Sequence, residues 1–180
     1  MAMGASVKIV LLLSLLSFFT CNTHATDCVY TFFIKTGTRI SAGTNAVINV
    51  TLLDSSGDSV TISDIESWGG LMGDDYNYFE RGNIDIFSGT ATCTSTGTIC
   101  ALNLTSDGSG SHPGWYVNYV DATITGAGLG CTNVDFDISQ WVADDAYPYE
   151  LYAFRDYCSD EAAKNACGGR RKTNATLETQ

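Results

Sequence analysis

Apolar and polar residues alternate with a period of two along most of the chain, the pattern of strands that bury one face. Val29–Lys35 is rich in β-branched and aromatic residues, and Val47–Leu53 sets Ile48, Val50 and Leu52 on one side. The run Asp54-Ser55-Ser56-Gly57-Asp58 is a turn signal before the next apolar stretch, Val60–Ile65. Further strands are expected at Asn83–Phe87, Ile99–Leu104, Trp115–Thr125, Val134–Val142 and Glu150–Tyr157. In the fourth, Ile84 and Ile86 fall on one face and Asn83 and Asp85 on the other. Short strands separated by turns, with almost no helical periodicity, predict an all-β fold, an eight-stranded antiparallel β-sandwich. Ser159–Ala166 carries the one weak helix pattern, and Gly168–Gln180 is polar, with the composition of a disordered tail.

The first 25 residues read differently. Lys8 precedes Ile9–Phe19, apolar apart from Ser14 and Ser17, and Thr23-His24-Ala25 places small residues where a signal peptidase cuts. This is the pattern of a secretory signal, too short to span a bilayer, and no later stretch approaches transmembrane length. The expected organisation is a signal over 1–25, one domain over 26–158 and a partly basic tail over 159–180, with the mature chain secreted or in the endoplasmic reticulum lumen.

Cysteine usage agrees with that compartment. Of seven cysteines Cys21 leaves with the signal, and Cys28, Cys93, Cys100, Cys131, Cys158 and Cys167 remain. An even set without a CxxC spacing points to disulfides rather than metal or redox chemistry. Cys93 and Cys100, separated by TSTGTI, are expected to staple a hairpin-like excursion. Cys28, Cys131 and Cys158 sit at strand ends, where two of them should pair, and Cys167 takes the third or stays free. Glycosylation sequons stand at Asn49, Asn103 and Asn174, the first two on strand faces opposite the apolar residues.

Charge narrows the partners. The chain has 20 acids and nine Lys or Arg, one of which is Lys8 in the signal. Between Thr26 and Cys158 the basic residues are Lys35, Arg39, Arg81 and Arg155, whereas Lys164, Arg170, Arg171 and Lys172 crowd the tail. Nucleic-acid binding needs a basic footprint that this domain lacks. Direct attraction to an anionic membrane is equally disfavoured.

Candidate chemistry concentrates in Trp68–Phe87. Trp68, Leu71 and Met72, carried on Gly69, Gly70 and Gly73, form an apolar tip suited to a membrane interface, or else a cap on the core. Asp74, Asp75, Asn77 and Glu80 follow, with Arg81 placed to clamp loop carbonyls. Trp115 and Trp141, which start and close strands, are expected in the core. Enzymatic readings find little support: the mature chain has one histidine, His112, and neither GxSxG nor HExxH.

Taken together, Thr36-Gly37, Ala42-Gly43-Thr44-Asn45, Phe79-Glu80-Arg81-Gly82 and Pro113-Gly114-Trp115-Tyr116 resemble the PLAT (lipoxygenase-homology) domain. The runs DYNYFERGN, CALNLTSDGSG and GWYVNYV are similar to the small secreted plant members linked with stress responses, and the likeness extends from Asp27 to Cys158. The resemblance implies an eight-stranded sandwich and a non-catalytic module that binds membrane lipid or a secretory-pathway protein. It also implies a calcium site at Gly43, Thr44, Asn45, Asn77 and Glu80, although Asn45 and Pro113-Gly114 stand where binders carry acids. Asp75, with Asp74, is placed to compensate. Without calcium these are solvated turn residues. The alternative to lipid binding is a lectin-like or cell-wall protein-interaction sandwich, since exposed aromatics suit sugar stacking as well.

Overall fold

The computed structural model describes residues 27–159. Its strands are β1 (Asp27–Thr36), β2 (Ile48–Asp54), β3 (Ser59–Ile62), β4 (Ile84–Thr92), β5 (Ile99–Ser106), β6 (Trp115–Gly126), β7 (Thr132–Val142) and β8 (Tyr152–Asp156), with a short helix α1 (Ile65–Gly69) between β3 and β4. They form two four-stranded antiparallel sheets, ordered β4-β1-β6-β7 and β3-β2-β5-β8, packed as the expected sandwich.

The alternation read from sequence is what fills the space between the sheets. Cys28, Tyr30, Phe32 and Ile34 of β1 point inward, as do Ile48, Val50 and Leu52 of β2 and Val134, Phe136 and Ile138 of β7. Trp115 is fully buried, as expected, and its indole N–H donates to Thr36 Oγ1 at 3.0 Å, so the one polar atom of the ring is satisfied in the core. Trp141 is only half-buried, against expectation: β6 and β7 slip register near their ends, and its ring packs edge-on to Tyr116 at 5.4 Å with one side left to solvent.

Two elements depart from the sequence reading. The apolar run Val60–Ile65 is cut after Ile62, because Asp64 adopts a left-handed conformation (φ 46°) and caps α1 through Ser67 N–H and Ser67 Oγ. Strand β4 continues to Thr92 through the polar Ser88–Thr92, whose backbone pairs with β1 down to Asp27. Its faces are also the reverse of the apolar expectation. Asp85 and Phe87 point into the core, and Ile84 and Ile86 face outward.

Among the described residues, Cys28 bonds to Cys93 and Cys100 to Cys158. The expected Cys93–Cys100 staple is therefore wrong, and so is the expected pairing within Cys28, Cys131 and Cys158. Cys93 follows β4 in one sheet while Cys100 lies on β5 in the other, so each reaches a neighbour beside its own sheet. Cys131 is also disulfide-bonded; Cys167, like the signal, almost all of the tail and Asn174, lies outside the described residues. Disulfides fit an oxidising compartment. These two bridges lie at the end of the sandwich that holds the β2–β3 turn and the β4–β5 loop. There Asp54 accepts from Ser56, Asp58 and Thr96, and Asp58 accepts from Ser95. The opposite end carries the β1–β2, β5–β6 and β7–β8 loops and the approach to β4.

Asn49 and Asn103 lie on the outer face of the second sheet, half-buried and cross-paired with each other's sequon threonines, Asn49 with Thr105 and Asn103 with Thr51. Asn49 Oδ1 accepts from Asp64 N–H at 2.9 Å, and its amide donates to Thr105 Oγ1. No helix among the described residues is long and apolar enough to cross a membrane.

Candidate functional site

The loop leading into β4 is organised by a carboxylate that alternation alone would place outside. Asp85 is 0% exposed; its Oδ2 accepts the Phe79 N–H at 2.8 Å and its Oδ1 accepts the Tyr76 hydroxyl at 2.9 Å. Asn83 donates to the same hydroxyl. Burial pushes the Asp85 carboxyl above its ordinary range, and nearby Glu80 adds to this, against the opposing pull of Phe79 N–H, Tyr76 and Lys35. Phe79 is held at φ 58° with its ring stacked on Phe87 at 5.5 Å and edge-on to Trp115 at 5.0 Å. The loop is thus tied to the core through the buried Tyr78 and Phe79, while Asn77, Glu80 and Arg81 are left at the surface. Ile84 and Ile86 hid Asp85 in the sequence, since alternation does not say which face is buried.

The Gly43–Asn45 stretch docks against this loop. Thr44 N–H donates to Phe79 O at 3.3 Å, and a β-carbon on Gly43 would stand 3.0 Å from Phe79 O and 3.2 Å from Arg81 N. Only glycine lets the two backbones come this close without displacement. Asn77 donates to Glu80 Oε1. Of the residues expected around a metal, the structure brings the Gly43–Thr44 backbone against Phe79 and Glu80, with Asn77 on Glu80.

The remaining expected donors point elsewhere. Thr44 Oγ1 donates to His112 O at 2.9 Å and accepts from Ala46 N–H. Asn45 Oδ1 accepts from Ser111 Oγ at 3.2 Å and stands 3.3 Å from His112 Nδ1, facing the β5–β6 loop. Asp74 and Asp75 are exposed. No group of three or more His, Cys, Asp or Glu suited to a metal occurs among the described residues. What the junction offers a cation is one carboxylate, one amide oxygen and backbone carbonyls. Arg81 is exposed and clamps no carbonyl among the described residues; Lys35 does so instead, donating to Gly82 O.

The apolar tip divides into two parts. Trp68 closes the side of the sandwich: its ring lies 6.2 Å from Phe32, edge-on, and fills the space above Gly89, where a β-carbon would come within 2.8 Å of it. Met72 is half-buried against the core, with its N–H donating to the Tyr78 hydroxyl at 2.8 Å. Leu71 is 59% exposed. Gly70 bridges to Phe87 and Leu71 N–H donates to Ile86 O, so Leu71 extends the sheet beside Ile86. Ile86 in turn pairs with Phe33, 38% exposed, and its strand neighbour Ile84 is 43% exposed. Leu71, Ile86, Phe33 and Ile84 make one apolar patch on the outer face of the first sheet. The Ile84 and Phe33 part of it went unread, because alternation does not say which face is buried.

Comparison with known proteins follows this geometry. Residues 30–155 match the PLAT/LH2 domain. Over 132 residues the chain is 56% identical to PLAT domain-containing protein 1 of Arabidopsis thaliana, covering 73% of this chain and 72% of that one. It is 54% identical to PLAT domain-containing protein 2 of the same plant over the same shares. Among solved structures, a LOX crystal structure matches with a TM-score of 0.50 at 23% identity. That match covers 71% of this chain and 16% of the LOX chain, a likeness of fold.

Proposed function

The chain belongs to the PLAT/LH2 domain family, and from that premise we propose that it is a non-catalytic binding module of the secretory pathway that docks on a lipid surface. The observation that carries this reading is the apolar patch of Leu71, Ile86, Phe33 and Ile84. Exposed apolar surface gathered on one sheet face, rather than scattered singly, marks an interaction site. Leu71 stands furthest out of the four, and Met72 beside it adds apolar bulk.

Net charge sets the terms of contact. At −11 the chain is repelled by anionic headgroups. A calcium ion at the junction of Gly43, Thr44 and Asn45 with Asn77 and Glu80, helped by Asp75, would offset that repulsion locally. Trp68, packed inward against Phe32 and over Gly89, is a structural residue in this reading rather than the inserting group. Glycans on Asn49 and Asn103 would project from the other sheet and leave the patch open. Delivery through the signal at residues 1–25, to the endoplasmic reticulum lumen or beyond, and a role in stress tolerance complete the reading.

Co-sedimentation of the disulfide-bonded protein with phosphatidylcholine and phosphatidylcholine–phosphatidylserine vesicles, in calcium and in chelator, tests it. Binding that calcium strengthens on the serine-containing vesicles, and that Leu71→Asp removes while the fold is retained, is the expected result. No binding to either vesicle in either condition would overturn the lipid reading in favour of a protein partner.

A further inference from the structure

A second surface lies at the loop end, away from the apolar patch. There the β1–β2, β5–β6 and β7–β8 loops enclose an open groove of about 420 Å³, within the range of small-molecule sites of about 300–1,000 Å³. Its floor is Trp141 and Gly114, and its walls include Asp145, His112, Ser41 and Ile40. From this lining we propose that the groove is a binding site for a neutral saccharide.

Trp141 is packed edge-on against Tyr116, whose ring also carries the Arg39 guanidinium 4.2 Å from its centroid. The indole is therefore a fixed apolar surface with one side open, already ordered before a ligand arrives. The C–H face of a pyranose is the apolar body that such a surface takes up, while its hydroxyls need partners around the rim.

Those partners are present and free. The Asp145 carboxylate takes no hydrogen bond from any described residue, and neither does the Ser41 hydroxyl. Of the exposed His112 ring, which also lines the groove, Nδ1 is engaged by Ser111 and Asn45, and Nε2 has no partner among the described residues. Gly114 keeps the floor open. A β-carbon there would stand 3.7 Å from Asp145 Oδ1 and 4.0 Å from Trp141 Cζ3, in the gap between the acceptor and the ring.

The same lining selects among ligands. A quaternary ammonium is recognised by several aromatic faces around one charge, and this groove offers a single ring. Acidic sugars meet Asp145 with no lysine or arginine among the lining residues to receive them. A neutral sugar satisfies both the ring and the hydrogen-bonding rim.

The test is saturation-transfer NMR and tryptophan fluorescence on the disulfide-bonded protein, with cellobiose, xylobiose, mannobiose, chitobiose and, as the acidic control, galacturonic acid. Binding of at least one neutral disaccharide is expected, with weaker or no binding of galacturonic acid. Trp141→Ala should abolish it. Since that truncation also loosens packing on Tyr116, Gly114→Ala is the decisive variant: all its new contacts are ordinary van der Waals distances of 3.4 Å or more. It should keep the melting temperature and vesicle binding while weakening the saccharide by roughly tenfold or more. Absence of binding by all four neutral sugars, tighter binding of galacturonic acid, or unaltered binding in Gly114→Ala would each overturn the proposal.

Discussion

Asp85 accepts the backbone N–H of Phe79 at 2.8 Å from inside the core, so one buried carboxylate fixes the conformation of the loop above it. Asp85→Ala removes the acceptor of both Phe79 N–H and the Tyr76 hydroxyl. Leaving two such donors unsatisfied costs about 2–4 kcal/mol. Urea unfolding should show a lower midpoint at an unchanged slope. Asp85→Asn, which keeps one acceptor oxygen, should lose less.

Asp54 gives the acid limb of stability. Burial opposes its ionisation, but hydrogen bonds from Ser56 and Thr96 outweigh that and hold the carboxyl down at about 2. A folded value below the unfolded one of about 3.8 means the stabilisation is complete above pH 4 and disappears as the pH falls toward 2. Its size is about 2 kcal/mol. Asp85 has the opposite sign: with its folded value raised, its contribution declines as the pH rises through that value. Unfolding midpoints of Asp54→Asn against the unaltered chain, measured from pH 6 to pH 2, should converge at the acid end.

Pairing of the cysteines is directly checkable. Peptide mapping without reduction should recover Cys28 linked to Cys93 and Cys100 linked to Cys158, and no Cys93–Cys100 peptide. Replacing Cys100 and Cys158 together with serine opens a closed segment with a sequence separation of 58. The expected loss is about 2–4 kcal/mol, read by thermal or denaturant unfolding.

Leu71 and Trp68 should separate cleanly in mutagenesis. Trp68→Ala strips the ring from Phe32 and from above Gly89, and for a half-buried aromatic the loss is about 2 kcal/mol. Leu71→Asp, at an exposed position, should leave the unfolding midpoint within about 0.5 kcal/mol and change vesicle binding alone. Loss of vesicle binding in Trp68→Ala without loss of stability would contradict this division.

How far the sequence could be read depended on how many faces each strand had to declare. In β1, β2 and β7 one face is apolar and the other mostly polar, so period-two alternation names the buried side without help. In β4 the outer isoleucines out-competed a buried aspartate, because hydropathy weighs a carboxylate as solvent-facing whatever partners wait for it. Ile65 looked like the end of a strand, and the left-handed Asp64 that starts α1 there is a backbone event with no apolar signature. Cys93 and Cys100 are near in sequence, yet the chain between them changes sheets, and spacing carries no record of that. The motif runs did bring the Gly43 and Phe79 loops together correctly. They could not say that Asn45 turns to Ser111 and His112, since that choice is made by a third loop far along the chain.

The disulfide-bearing end of the sandwich has a consequence for how the molecule can be mounted. Asp27 begins β1 in one sheet and Cys158 follows β8 in the other, both at that end, so the described chain starts and stops at the end away from Gly114 and Trp141. Anything joined directly before Asp27 or after Cys158, whether a tether or a label, would hang from the base and hold the groove outward like a cup on a stem. Immobilised by either terminus, the protein should present the same surface to what flows past it.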